Sequence, residues 1–124
     1  MPDSANFVVD LVVIRSDAME QSAAFYSALG LQLIKHSHPP CGEHFSTTGP
    51  GCIFEIYSRR TNQLPTTSVV LGFKVADIDR AVAAALGLGA SLKRPVEDTE
   101  WGRIATIRDL DGHTVMLRQE FLAE

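Results

Sequence analysis

The sequence predicts an α+β protein in which one β-α-β-β-β unit is written twice. Two observations carry this reading. Sliding the chain by 59 residues lays I-R-S-D-A-M-E (14–20) on F-K-V-A-D-I-D (73–79), Leu29-Gly30 on Leu88-Gly89 and Leu33 on Leu92. Each half also changes its hydrophobic period in the same order, from strand to helix and back to strand.

Each half opens on a short strand rich in β-branched residues, V-V-D-L-V-V-I-R (8–15) and V-V-L-G-F-K-V (69–75). Asp17 with Glu20 three residues on, and Asp77 in the second copy, stand where they would cap a helix N-terminus. Met19, Ala23 and Tyr26 form the first helical stripe; Ile78, Ala81, Val82 and Ala85 form the second. Gly30 and Gly89 stop the helices. Strands are then expected near 31–36, 43–48 and 52–58, and near 90–94, 103–108 and 113–119. Asp111-Gly112 makes the tight turn before the last strand, because Gly supplies the positive φ and Asp bonds its own backbone. The chain thus divides into a first module at about 8–60, a polar linker T-N-Q-L-P-T-T-S (61–68) and a second module at about 69–119, all within one domain of 124 residues.

Composition narrows the classes of function. With 45% hydrophobic and 21% charged residues the chain has the makeup of a globular domain. A net charge of −4 gives no basic face for nucleic acid. The apolar runs fall far short of the ~20 residues of a membrane span, and M-P-D-S-A-N shows no basic region followed by an apolar stretch. A cytoplasmic protein is the expectation. Two cysteines, Cys41 and Cys52, are too few for a disulfide framework.

The pattern A-x-F-Y-x-x-L-G-L at Ala23 to Leu31, G-F-x-V-x-D-I-D at Gly72 to Asp79, Trp101-Gly102, and D-x-D-G-x-x-x-x-L ending at Leu117 follow one another at set distances. In this order they resemble the vicinal oxygen chelate superfamily, the glyoxalase, bleomycin-resistance and extradiol-dioxygenase group, from about Val8 to Gln119. The resemblance implies curved mixed sheets around a concave cavity. In metal-dependent members it also implies a divalent metal there, held by residues of the first and fourth strands of each unit. Carried over residue by residue, those positions fall on Leu11, Glu55, Val70 and Met116. Leu and Val have no donor atom, and a thioether is a poor ligand for a hard or borderline cation. The expectation is therefore no metal and no cofactor.

Strand parity divides the remaining side chains. Val12, Ile14, Phe54, Ile56, Leu71, Phe73, Val75, Val115 and Leu117 form one apolar set, expected under the helices. The opposite set mixes apolar and polar groups: Leu11, Val13, Arg15, Ile53, Glu55, Tyr57, Val70, Gly72, Lys74, Thr114, Met116 and Arg118. An apolar floor with a few fixed polar groups is the usual makeup of a small-molecule site. Glu55, Tyr57, Arg15 and Arg118 are expected to fix the polar end of a ligand, with Leu11, Val70 and Met116 at the apolar end. Glu55 is also the candidate general base, or is held as an ion pair by Arg15, Lys74 or Arg118. Trp101 is placed to line the cavity mouth or to cover a core edge. The loop K-H-S-H-P-P-C-G-E-H (35–44) gathers His36, His38, Cys41 and His44, but their spacing matches no closed zinc pattern, and an exposed hairpin tip is expected.

Two functions follow. One is a metal-free protein that binds a small aromatic or amphipathic molecule, in the manner of the bleomycin-resistance proteins, as a homodimer. The other is a glyoxalase-like lyase or isomerase of the lactoylglutathione lyase type, with Glu55 as base or as sole retained metal ligand.

Overall fold

A computed structural model of the chain describes residues 8–40 and 42–121. The elements run β1 (Leu11–Ser16), α1 (Met19–Ala28), β2 (Leu33–His38), β3 (Gly42–Thr47), β4 (Ile53–Ser58), β5 (Val70–Lys74), α2 (Ile78–Gly87), β6 (Ser91–Thr99), β7 (Gly102–Arg108) and β8 (Thr114–Gln119). They form two four-stranded mixed sheets, ordered β1-β4-β3-β2 and β5-β8-β7-β6. In each, the first and last strands of the unit pair in parallel and the other neighbours are antiparallel. The twofold repetition expected from the sequence is thus realised strand for strand. The main difference in extent is β6, which continues to Thr99 where a strand was expected only near 90–94. No helix among the described residues is long and apolar enough to cross a membrane.

The apolar parity lies where the helices are. Ile14, Phe54, Ile56, Leu71, Val75, Val115 and Leu117 are buried, with Val12 and Phe73 packed against them. Helix α1 rests on β4, β1 and β2, and α2 rests on β7, β6 and β8. Gly30 and Gly89 end the helices at φ +114° and +103°, a region that favours glycine. Asp77 caps α2 by accepting from the Arg80 amide at 3.1 Å. Asp17 does not cap α1: the N-cap is Ala18, without a side-chain bond. The Asp17 carboxylate is taken by Arg59, and its amide donates to Asp111 Oδ1 at 2.9 Å. Glu20 turns to Lys35 at 2.7 Å.

The two units meet through their helix-covered faces. The Tyr26 ring lies 5.0 Å from Phe54 and 5.7 Å from Phe73, and Phe54 and Phe73 are 5.5 Å apart, edge to face. A polar seam closes beside these rings. Tyr26 donates to Asp109, whose carboxylate also accepts from the backbone amides of Asp111 and His113 and from His113 Nδ1. His113 Nε2 meets the Thr66 hydroxyl at 2.7 Å, and Thr66 is bonded through its backbone and side chain to Arg15 at the end of β1. A helix of the first unit, the linker and the β7–β8 turn are thereby stitched together in the interior.

Candidate ligand-binding site

Because Phe54 and Phe73 face each other, the opposite parities of the two sheets point away from the junction. Among the described residues, the cavity that Glu55 lines is not lined by Met116. The first sheet carries Glu55 on its open face, beside Val13 of β1, and the second carries Met116 on its own, beside Gly72 of β5.

On the first sheet, register lines up two rows across all four strands. Arg15, Tyr57, His44 and His36 make one row; Val13, Glu55, Ser46 and Ile34 make the next. The first row is stacked. The Arg15 guanidinium carbon sits 4.9 Å from the Tyr57 ring centroid, Tyr57 and His44 are 4.5 Å apart and nearly parallel, and His44 and His36 are 5.7 Å apart. His44 is only 2% exposed, so the hairpin tip expected there holds one buried imidazole. Its Nδ1 donates to the Gly42 carbonyl at 3.2 Å, since a carbonyl can only accept, and Nε2 is left 3.8 Å from Glu55 Oε2. The partner expected for Glu55 was Arg15, Lys74 or Arg118; His44 stands there instead. The signal was alternation in G-E-H-F-S-T, which puts His44 and Ser46 on the open face, but only register reveals the neighbour.

Leu11, Val13, Arg15, Glu55 and Tyr57 line a cavity of about 590 Å³, with Pro40 and Arg60 at its edges. Ile53 pairs with Leu11 at the same end of the face. Pro40 and Arg60 lie in turns, outside the strand pattern that singled out the others.

On the second sheet, Val70 is 65% exposed and Met116 40% exposed on the open face, with Thr114 half-buried beside them. Lys74 and Arg118 both reach Glu120, at 3.2 and 3.7 Å. Trp101 is 67% exposed at the β6–β7 turn, so it neither covers a core edge nor meets the cavity on the first sheet.

These residues do not fit a metal. Leu11 and Val70 offer no donor, Met116 offers a thioether, and Glu55 with His44 Nε2 supplies two donors where zinc takes four ligands, at least three of them from protein. Asp109, Asp111 and His113 bring ligand atoms within 4.8 Å of one another. Both Asp109 oxygens and both His113 nitrogens are already engaged in the seam described above. Cys41 lies outside the described residues, and so does the side chain of His38. Cys52 is a free, exposed thiol.

Two βαβββ units with parallel first and last strands define a protein of the glyoxalase fold. The chain belongs to the Glyoxalase/Bleomycin resistance protein/Dioxygenase superfamily, whose family model matches residues 8–117. A glyoxalase/bleomycin resistance protein from Albidiferax ferrireducens T118 is 21% identical, with a TM-score of 0.74 over 90% of this chain and 98% of that one. TnmS3, an antibiotic binding protein from Streptomyces sp. CB03234, is 22% identical, with a TM-score of 0.71 over 93% and 97%. A glyoxalase/bleomycin resistance protein/dioxygenase family enzyme from Burkholderia phytofirmans PsJN is 17% identical, with a TM-score of 0.70 over 90% and 98%. At these identities the likeness is one of fold. No curated protein matches the chain in sequence.

Proposed function

We propose that the chain is a cytoplasmic binding protein that holds a small aromatic or amphipathic molecule against the open face of its first sheet, without a metal. The observation that carries this is the makeup of the cavity wall: Leu11 and Val13 as an apolar floor, beside a stacked polar row fixed by register. TnmS3, which shares the fold, is an antibiotic binding protein. The proposal extends to a homodimer. Leu11, Ile34 and Ile53 on one sheet, and Val70 and Met116 on the other, are exposed apolar groups on open faces. A two-fold pair in which each first sheet meets the second sheet of the other copy removes both from water. It also brings Val70, Lys74, Trp101, Thr114, Met116 and Arg118 toward the ligand.

Titration of the purified protein with an aromatic ligand, before and after dialysis against a chelator, tests the reading. The expected result is unchanged affinity and less than one equivalent of zinc, nickel or iron per dimer. A full equivalent per chain, lost together with binding, overturns it.

A second reading rests on one contact, His44 Nε2 at 3.8 Å from Glu55. The pair can move a proton at Glu55 Oε2 and so supports a lyase or isomerase with Glu55 as general base. Turnover of a hemithioacetal substrate, abolished in Glu55→Gln, is its test.

A further inference from the structure

The cavity on the first sheet is lined by two cationic residues, Arg15 and Arg60, that pair with no carboxylate among the described residues. Arg15 is half-buried; its guanidinium lies over the Tyr57 ring and one of its nitrogens donates to the Ser58 carbonyl at 3.1 Å. A guanidinium has five N–H donors, so most of its capacity is unspent after that bond. Arg60 lines the same cavity from the turn after β4. Among the described residues, no carboxylate oxygen lies within 4.0 Å of either guanidinium. Their neighbour in sequence behaves differently, since Arg59 is paired with Asp17.

Among the described residues, the one acid that lines the cavity is on the next row. Glu55 pairs across the sheet with Val13 and faces His44, whereas Arg15 pairs with Tyr57. The wall therefore has a polarity: the Arg15 guanidinium at the Tyr57 end, with Arg60 lining the same cavity from the turn after β4, an acceptor at the Glu55 row, and aliphatic surface at Leu11 and Val13.

We propose that this cavity selects a small monoanionic amphipath, an aromatic or aliphatic carboxylate, with its oxyanion on Arg15 and Arg60 and its apolar body over Leu11 and Val13. This rests on the binding reading above and names the ligand class for it. Stacking on Tyr57 and the bond to Ser58 hold the Arg15 fork in one plane before ligand arrives, which favours a planar carboxylate over a spherical anion. Glu55 repels a carboxylate laid the other way round and accepts from a hydroxyl or amide on the ligand's body. The net charge of −4 means that this preference is local to the wall and owes nothing to the field of the whole chain.

Three probes of one shape test it on the full-length protein by calorimetry: naphthalene-2-carboxylate, 2-naphthalenemethanol and 2-naphthylmethylamine. The carboxylate is expected to bind roughly tenfold tighter than the alcohol, and the amine to bind weakest. Arg60→Gln, a change at an exposed side chain, and Arg15→Gln are each expected to weaken the carboxylate roughly threefold to tenfold while leaving the alcohol unchanged. Equal binding of carboxylate and alcohol, or tightest binding of the amine, overturns the anion assignment and leaves the binding reading standing. Binding of none of the three overturns both.

Discussion

The Tyr26 hydroxyl donates to Asp109 Oδ2 across 2.5 Å, and this one bond joins the helix of the first unit to the β7–β8 turn of the second. Both groups are buried. Burial, and then the charge of Asp109, pushes the Tyr26 phenol far above its ordinary range. Burial acts to raise the Asp109 carboxyl as well, but hydrogen bonds from His113 and Tyr26 outweigh it and hold the group below its ordinary value.

A carboxyl held lower in the folded chain than in the unfolded one adds stability that is complete above about pH 4 and is lost as pH falls through the folded value. Asp109→Asn is expected to cost about 2 kcal/mol at neutral pH, because buried donors on Tyr26 and His113 lose a charged acceptor. It is also expected to flatten the dependence of stability on pH on the acid side. Urea unfolding of variant and parent in neutral and acid buffers measures both, and parallel acid limbs would refute the assignment.

Tyr26 acts at the other end of the scale. Its raised value means stability that is complete below about pH 10 and is lost as pH rises toward the folded value. Tyr26→Phe is expected to cost about 1 kcal/mol and to shallow the alkaline loss of stability, read from the same unfolding curves.

Gly102 answers to a different constraint. Its φ is +123°, and a Cβ there would lie 2.4 Å from the carbonyl oxygen of Gln119. Gly102→Ala is expected to destabilise the fold by about 2 kcal/mol or more, since backbone meets backbone. Gly87→Ala, within α2 and with nothing inside 4 Å of its added Cβ, is expected to gain up to about 1 kcal/mol. Thermal melts of the two variants should move in opposite directions.

The proposed dimer makes its own prediction at Met116. Sedimentation of the parent at micromolar concentration should give twice the 13.5 kDa of one chain. Met116→Glu sets a carboxylate opposite Glu55 of the second copy, so raising pH through the carboxylate range, near 4.3 for an unperturbed Glu, should drive the variant toward monomer. Added zinc should reverse part of that shift. A variant that sediments as the parent does at every pH places the two residues in separate surroundings.

The repeat, the parity of the strands and the Asp111-Gly112 turn were legible because each depends on neighbours a few residues away. Gly112 sits at φ +96° and the strand after it alternates as read, with Val115 and Leu117 inside and Met116 outside. The role of Asp17 was not legible: the groups that claim it, Arg59 and Asp111, come from 42 and 94 residues further along the chain. Nor was the neighbour of Glu55, which depends on the β3–β4 register. The pattern also tells which face of each sheet is apolar without telling that the two apolar faces meet, as they do at Phe54 and Phe73.

Parallel pairing of β1 with β4, and of β5 with β8, means that the first strand of each unit lies at a sheet edge and is held only by the last strand of its own unit. On a ribosome releasing the chain from its N-terminus, the opening strand has no partner until Ser58 has emerged, and it then has one before the second unit exists. In that interval Phe54 and Tyr26 have been made, but neither Phe73 nor Asp109 has. The nascent first half therefore lacks the partners of its aromatic surface until Phe73 is made and the partner of its phenol until Asp109 is made, so the time spent translating residues 59–109 sets how long the Tyr26 hydroxyl goes unmet.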